Sequence, residues 1–288
     1  MLIENVKQLS ASERLIYWAT EREKIRLRRQ MGQSRPWTSD EILDKFRFCN
    51  VRRMDDAVSR WLLENWYGPY KDHKNMAGAV CLARMFNNPN TLAGMESFVF
   101  VSNEPNWTAI KAIINQMSES GLRVFNAAYI VSTSGHKANK IDWVVDRYVK
   151  PAHEYLIPGV ICRHSMEKTA QQVESCYGFS SFMAGQVVAD LRWALTGRWD
   201  DRMTWAPLGP GSRRGLNRLY GFTESSHQKE EEFRGMLENA ITMLKDKLPN
   251  SITSRLEAHD YQNCLCEWDK YERMLWGQGK PKQLYKGK

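Results

Sequence analysis

Apolar residues recur every three or four positions along most of the chain, which is the spacing of a helix with one buried face. One run rich in β-branched and aromatic residues, 123–132, instead predicts a short strand. We therefore expect a mainly α fold: a single helical domain over 1–288 with one or two short strands and a basic tail at 277–288 that can be flexible. The pattern predicts helices over 10–31, 75–87, 106–118, 141–149, 179–195, 228–248 and 251–275.

Two predicted helices at 36–61 carry an unusual density of polar side chains. Thr38, Ser39 and Asp40 are candidate N-caps for the first, and apolar positions from Val51 onward predict the second. Buried charge is costly unless it is paired, so the polar group is either a solvated face or a preorganised site. The residues alone slightly favour the solvated face. The group consists of Arg47, Asn50, Arg52, Arg53, Asp55 and Asp56.

The first predicted helix, 10–31, carries a row of arginines. Ser10 or Ser12 can cap its N-terminus, and Glu13 supports its first turn. The row is either solvated or a ridge that contacts phosphate groups, and the sequence favours neither. Its members, spaced by four and three residues, are Arg22, Arg26 and Arg29.

Composition and charge indicate an intracellular protein with an anionic partner. The net charge of +8 favours nucleic acid, the commonest anionic partner. No apolar run reaches the roughly 20 residues of a membrane span, and the N-terminus lacks a signal-peptide pattern. Cys264 and Cys266 lack the further ligands of a zinc site, so we expect free thiols, no metal centre and no cofactor.

Glycines and arginines alternate at 207–219, ahead of and within a predicted helix. The glycines allow unusual backbone angles, and a glycine turn before a helix can expose N–H groups to a phosphate. The stretch resembles the hairpin of a helix-hairpin-helix element. The alternative is an ordinary turn and a solvated basic helix, but the arginines favour phosphate contact. The predicted DNA-binding residues are Gly209, Gly211, Ser212, Arg213, Arg214 and Arg218.

Three further polar residues interrupt apolar helices. Arg84 and Asn87 lie at the end of the predicted helix 75–87, where Asn87 can also act as the C-terminal cap. Asp190 stands among the apolar positions of 179–195. Such an aspartate is either paired with an arginine or catalytic, and pairing is the commoner case.

Several phrases of the sequence resemble one known superfamily. The most specific are PWTSDEILDKFRFCNVRRMDD, which begins at Pro36, and CEWDKYER, which begins at Cys266. Over about 13–285 the chain is similar to the alpha-glutamyl/putrescinyl thymine pyrophosphorylase superfamily of phage DNA-hypermodification enzymes. That superfamily includes amino acid:DNA transferases and the helical domain attached to 5-hydroxymethyluracil DNA kinases. Weaker similarity lies in EREKIRLRR, ARMFNNP, GFSSFMAGQVVADLRW and LGPGSRRGLNRL.

The resemblance implies a helical fold distantly similar to helix-hairpin-helix DNA glycosylases. Transferase members act on thymine-type bases whose 5-hydroxymethyl group carries a phosphate, which an amine displaces. The sequence has no GxxxxGK[ST] motif, so the resemblance points to a transferase that acts after a separate DNA kinase, in the host cytoplasm. The implied partners are double-stranded DNA, with the modified base flipped out, and a free amino acid or polyamine.

The resemblance also implies roles for the polar residues, and makes a shared pocket built on 36–61 the better interpretation. An aromatic side chain, Trp37, Trp268 or Tyr271, would support the flipped base. A Cys49 adduct is a disfavoured branch. The alternatives are a DNA glycosylase and a noncatalytic DNA-binding module that works with a kinase. The candidate bases are Asp55, Asp190, Glu267 and Asp269. The candidate substrate- and phosphate-binding residues are Arg22, Arg47, Asn50, Arg52, Arg53, Arg84, Asn87, Lys270 and Tyr271.

Overall fold

The computed structural model describes residues 3–126, 131–156, 161–279 and 284–285, and it confirms a mainly α fold. A 3₁₀ turn covers Arg53–Asp55, and π-helical segments cover Leu63–Tyr67 and Val144–Val149. The α-helices are α1 (Ile3–Lys7), α2 (Ala11–Gln30), α3 (Glu41–Lys45), α4 (Ala57–Leu62), α5 (Met76–Phe86), α6 (Pro89–Phe100), α7 (Trp107–Glu119), α8 (Lys140–Trp143), α9 (Lys150–Tyr155), α10 (Met166–Glu174), α11 (Ser181–Ala194), α12 (Pro210–Leu219), α13 (Glu230–Lys247), α14 (Asn250–Thr253) and α15 (Ala258–Leu275).

The predicted strand at 123–132 is absent from its described part. Residues 123–126 and 131–132 are irregular, and 127–130 lie outside the described residues. The Asn126 N–H donates to the carbonyl oxygen of Phe86 at 2.9 Å, so the start of this segment closes the end of α5. Among the described residues, β-type pairing is limited to one isolated antiparallel bridge between Phe46 and Leu284.

The chain divides into two compact units. The first comprises Met1–Asp56 and Met203–Lys288, and the second comprises Ala57–Arg202. The first unit is therefore closed by residues far apart in the sequence, such as Arg14 and Glu272, whose side chains pair at 2.8 Å. The expectation of a single domain over the whole chain stays a prediction.

Helix α2 of the first unit forms as its sequence predicts. The Ser10 hydroxyl accepts from the Glu13 N–H, and the Glu13 carboxylate accepts from the Ser10 N–H, which is the expected capping box. Leu15, Trp18 and Ile25 then bury the apolar face of the helix in the core.

Helix α12 packs directly on α15 because two glycines remove side chains from the contact. A Cβ atom at Gly211 would overlap the Cys266 sulfur, and one at Gly215 would lie 2.9 Å from the carbonyl carbon of Leu265. These two glycines and Gly209 all have negative φ. The prediction that they supply unusual backbone angles is therefore wrong, since their role is close helix packing.

The two helices expected over 36–61 are shorter than their apolar pattern predicts. Asp40 caps α3, but the helix has only five residues. Residues 46–52 are irregular, and α4 begins only at Ala57. Backbone groups of this loop bond to side chains of α2, of α15 and of the loop itself, which replaces the hydrogen bonds of a helix.

The helix expected over 251–275 is also interrupted. α14 ends at Thr253, and α15 begins at Ala258. The Asp260 carboxylate accepts from the Glu257 N–H at 3.1 Å, which starts a new helix. The interruption leaves the other Asp260 oxygen available to the loop at 46–56.

In the second unit, α5 is the most buried helix: all of its residues are buried. Asn87 ends it in the left-handed conformation, with φ at 47°, as expected of a C-terminal cap. The helix predicted over 141–149 forms as α8 and a π-helical segment, and it continues into α9 beyond Pro151. Pro151 lies in the first turn of α9, directly after the π-helical segment.

Candidate active site

Arg22 of α2 holds the loop 47–56 by its backbone. Its Nε and Nη2 donate to the carbonyl oxygens of Phe48 and Cys49 at 3.1–3.3 Å, and Nη2 also donates to Asn50 Oδ1 at 2.6 Å. Only 2% of Arg22 is exposed, so it is not part of a solvated basic ridge. Its Nη1 has no hydrogen-bond partner among the described residues, which leaves one donor unused beside the loop.

Asp56 closes the loop and is a carboxyl group with a raised pKa. Its Oδ1 accepts from the Asn50 N–H at 2.9 Å. Burial raises the pKa of Asp56 to about 6, and Glu267 adds to the rise. The Asn50 N–H and the charges of Arg22 and Arg53 oppose it. A carboxyl group that changes protonation near neutral pH can accept and return a proton during a reaction.

Helix α15 brings Glu267 and Lys270 to the same loop. Glu267 Oε2 accepts from the Cys49 N–H at 2.8 Å and from Lys270 Nζ at 3.1 Å. Lys270 also donates to the carbonyl oxygen of Arg47 at 2.6 Å and lies 4.6 Å from the centre of the Phe48 ring. Lys270 is therefore balanced by Glu267, and the pair fixes the loop on α15.

Arg53 is a buried cation without an acidic partner in the described part of the chain. Its N–H donates to Asp260 Oδ1 at 2.9 Å, which anchors the backbone. Its side chain is 8% exposed and makes no hydrogen bond or ion pair with any described residue. Its charge acts on Cys49 and Asp56. A buried unpaired guanidinium is costly, so this position is suited to an incoming anion.

Cys49 is held as a neutral thiol. Burial raises the pKa of Cys49 well above its usual value, and the charges of Glu267 and Asp56 add to the rise. Lys270 and Arg53 oppose the rise without cancelling it. Because the thiolate is the nucleophilic form, this environment disfavours a cysteine adduct.

Asp55, a predicted base, is instead the centre of an ion-pair group. Its Oδ2 lies 3.4 Å from Arg26 Nε and 3.8 Å from Arg255 Nη1. Its Oδ1 lies 3.8 Å from Arg52 Nη1. The pair with Arg26 ties the loop to α2. Arg26 and Arg52, which the sequence analysis named as possible phosphate contacts, are therefore both in contact with Asp55.

Asp269, another predicted base, clamps α12 to α15. It is fully buried, and its oxygens lie 2.9 Å from Arg214 Nε and 3.0 Å from Arg218 Nε. Arg273 adds a third guanidinium at 3.6 Å. Two of the three predicted DNA-binding arginines of α12, Arg214 and Arg218, are thus already paired with a carboxylate.

The rest of the predicted DNA-binding stretch also has partners inside the first unit. Ser212 is fully buried, and its hydroxyl accepts from the Gly209 N–H at 3.3 Å and from Gln262 Nε2 at 2.9 Å. Arg213 Nη1 lies 2.9 Å from His227 Nδ1. This glycine turn therefore does not expose its amides in the way that a phosphate-binding hairpin requires.

Two aromatic side chains proposed to support a flipped base lie in the core. Tyr271 and Trp268 have no exposed surface. The Tyr271 hydroxyl donates to Asp40 Oδ2 at 2.7 Å, and Tyr17 donates to the same oxygen at 3.1 Å. Tyr271 therefore stabilises the cap of α3, and Trp37 is the member of this group that reaches the surface.

In the second unit, Asp190 is paired, which is the commoner of the two expected cases. Arg84 Nη2 donates to Asp190 Oδ1, and the Tyr67 hydroxyl donates to Oδ2 at 2.5 Å. All three side chains are almost completely buried. Asn87 is 7% exposed, and its Oδ1 has no hydrogen-bond partner among the described residues.

Arg47 begins the loop and differs from the other predicted phosphate ligands. Its side chain is exposed and makes no ion pair with a described residue. Arg47 and Arg53 are therefore the loop arginines whose charge is available to a ligand, whereas Arg52 contacts Asp55.

The sequence reasoning did not place Asp56 among the catalytic candidates. It preferred Asp55, because neighbouring aspartates cannot be distinguished by a helical pattern in a segment that forms no helix. The charge of Arg53 acts on Asp56, whereas Asp55 pairs with Arg26, Arg52 and Arg255.

Neither a metal site nor a membrane span is visible in the described residues. Over these ranges no three His, Cys, Asp or Glu side chains converge in a way that could hold a metal ion. No described helix is both long and apolar enough to cross a bilayer.

Comparisons with known proteins give one family and one curated relative. The family model described as 5-hmdU DNA kinase, helical domain, matches residues 10–280. A 5-hmdU DNA kinase of Bacillus phage SP10 is 26% identical over 224 residues, which are 69% of this chain and 34% of that protein. The chain thus corresponds to about a third of the length of this relative. No solved structure gives a significant match.

Proposed function

The chain belongs to the family of helical domains of 5-hmdU DNA kinases, and we propose that it transfers an amine to modified thymine in phage DNA. The proposed substrate is 5-phosphomethyl-deoxyuridine in double-stranded DNA. The second substrate is an amino acid or a polyamine, and the products are a hypermodified thymidine and phosphate. The proposed enzyme acts after a DNA kinase has phosphorylated the 5-hydroxymethyl group.

The observation that carries this proposal is that one loop holds a guanidinium group without an ion-pair partner among the described residues and a carboxyl group with a raised pKa. Arg53 offers a buried guanidinium without an acidic partner among the described residues, which suits the leaving phosphate. Asp56 offers a carboxyl group whose pKa of about 6 suits proton transfer. Their charges act on each other, and in the proposed reaction both serve a single reacting group.

In the proposed reaction, the neutral amine nitrogen attacks the exocyclic methylene carbon. The C–N bond forms as the C–O bond breaks, and the bonding pair of the C–O bond leaves with the phosphate. Asp56 accepts the proton that the nitrogen loses. Arg53 stabilises the charge that grows on the phosphate, and the unused Nη1 of Arg22 is a second donor for it.

A direct test uses DNA that carries 5-phosphomethyl-deoxyuridine at one position. The protein is incubated with this DNA and a mixture of amino acids and polyamines, and the digested nucleosides are weighed by mass spectrometry. We expect one new nucleoside, heavier than 5-hydroxymethyl-deoxyuridine by the mass of the amine less one water, and an equal amount of released phosphate. Failure of the wild-type protein to attach any amine would overturn the proposal.

Two variants with matched controls test the assigned roles. Asp56→Asn should lower kcat about 10²- to 10⁴-fold, as expected for loss of a general base. Arg53→Met should lower kcat/KM by about 10²- to 10³-fold, as expected for loss of a donor to a developing charge. Asp246→Asn and Arg60→Met change exposed residues elsewhere and should leave the rate unchanged. Normal turnover in both site variants would contradict the roles.

A second candidate function is a noncatalytic module that presents DNA to a separate kinase. The family description favours it, because the matching model is one domain of a kinase and the chain covers about a third of the curated relative. It predicts that the protein stimulates phosphorylation of 5-hydroxymethyluracil DNA by an added kinase. It also predicts that Asp56→Asn stimulates as well as the wild type.

A further inference from the structure

Two aromatic rings and two guanidinium groups meet on the surface of the first unit. Trp37 and Tyr285 pack edge to face, with ring centres 5.4 Å apart. The Arg29 guanidinium lies 5.1 Å from the centre of the Trp37 ring and 5.2 Å from that of Tyr285. Arg35 lies 5.5 and 5.9 Å from the same two rings. We call these four residues the aromatic–arginine cluster.

The charge of the cluster is only partly neutralised. Arg35 pairs with Asp44 at 2.8 Å. Arg29 is exposed, and its guanidinium group makes no hydrogen bond or ion pair with any of the described residues. The Arg29 charge is thus held in place by two rings and remains available to an anion.

The cluster continues into the loop of the candidate site. The Tyr285 N–H donates to the carbonyl oxygen of Lys45 at 3.1 Å, and Leu284 bridges to Phe46. Arg47, the next residue, is exposed and unpaired among the described residues. Exposed cations and aromatic faces therefore run from α2 to the start of the loop that carries Arg53.

We propose that the aromatic–arginine cluster binds the DNA strand beside the modified nucleotide, through phosphate contact at Arg29 and stacking or sugar contact at Trp37 and Tyr285. This inference rests on the proposed function, in which DNA is the substrate. Arginine held over aromatic rings is suited to a backbone contact that does not depend on base sequence. The contact differs from the predicted one at α12, whose Arg214 and Arg218 are paired with Asp269.

The test measures the salt dependence of binding to unmodified thymine DNA. Each phosphate contact contributes about 0.9 to the slope of log Kobs against log salt concentration for duplex DNA. Arg29→Ala should therefore reduce the slope by about one, whereas Arg29→Lys should keep it. Arg60→Ala removes an exposed arginine of α4, also unpaired among the described residues, and should leave slope and affinity unchanged.

The aromatic residues need a separate measurement. Trp37→Leu and Tyr285→Leu should each weaken binding about fivefold or more, with an unchanged salt slope, because stacking is not ionic. Thermal unfolding of each variant shows whether it is folded. The inference is overturned if Arg29→Ala binds DNA with the wild-type salt slope and affinity. It is also overturned if the two Leu variants lose affinity only in proportion to the fraction of protein that is unfolded. In either case the cluster is only an anchor for the C-terminal tail.

Failure of this inference is distinguishable from failure of the proposed function. If wild-type protein attaches amines while Arg29→Ala binds DNA normally, the transferase proposal stands and the cluster proposal falls. If Arg29→Ala alters the salt slope but no amine is ever attached, the reverse holds. A wild-type protein that does not bind DNA at all overturns both.

Discussion

Replacing Asp56 by asparagine should make the protein more stable at pH 8, although it should slow the proposed reaction. Asp56 accepts one hydrogen bond, from the Asn50 N–H, and an amide oxygen can accept it too. What the replacement removes is a carboxylate charge in a partly buried position, where Glu267 opposes it. A site residue that costs stability is expected where function selects the residue.

The magnitude follows from the pKa of Asp56, which burial raises from 3.8 to about 6. At about 1.4 kcal/mol per pKa unit, the charged form lowers the free energy of unfolding by about 3 kcal/mol above pH 6. Because the folded pKa is the higher one, the folded state binds the proton more tightly between pH 4 and 6, and stability falls as pH rises through this range. The gain from Asp56→Asn should thus be about 3 kcal/mol at pH 8 and about half of that near pH 5.

The assay is urea unfolding followed by tryptophan fluorescence, for both proteins, at pH 8, 5 and 4. Asp246→Asn removes the same formal charge from an exposed position of α13 and controls for net charge. The reasoning fails if Asp56→Asn is no more stable than the wild type at pH 8. It also fails if the gain is equal at pH 8 and pH 4, since the effect would then not come from ionisation.

Three further predictions concern packing, the buried ion pair and the thiol. Gly215→Ala should destabilise the protein by about 1–3 kcal/mol, because the added Cβ would enter the contact between α12 and α15. Gly235→Ala has open space around the added Cβ and should stabilise α13 by about 0.5–1 kcal/mol. Thermal unfolding of the two variants shows whether the melting temperature falls for the first and rises for the second. Arg84→Met should lower the free energy of unfolding by about 3–5 kcal/mol, because it leaves Asp190 buried without its cationic partner. Adding Asp190→Leu to Arg84→Met should recover much of this loss. Additive effects of the two changes in urea unfolding would contradict the coupling. Because the Cys49 thiol is held neutral and is not expected to act as a nucleophile, Cys49→Ser should transfer the amine at a rate within about threefold of the wild-type rate. A rate lower by 10²-fold or more in the mass-spectrometric assay would instead support the cysteine-adduct mechanism.

The apolar spacing of the sequence was sufficient for the long helices. α2, α5, α7, α11 and α13 form within a few residues of their predicted bounds, because each has a continuous apolar stripe. Ser10 with Glu13, and Asn87, act as the caps that their local sequences indicate, since capping needs only neighbouring residues.

Local pattern failed where distant residues supply the hydrogen bonds. The loop at 46–56 contains apolar residues at helical spacing, yet Arg22 and Glu267 hold its carbonyl and N–H groups. The glycines of α12 indicated a turn, but what they permit is contact with α15, more than 40 positions later in the chain. A sequence pattern that compares residues within one helical turn cannot identify such distant partners.

The sequence by itself determined the mainly α class, the long helices and the set of residues from which a site could be made. Only the tertiary structure decided which charges remain available. It pairs Asp55, Asp190 and Asp269 with arginines and leaves Arg29, Arg47 and Arg53 without acidic partners among the described residues. The physical reason is that helix formation depends on neighbours in the sequence, whereas ion pairing and pKa depend on burial and on partners that only the folded chain brings together.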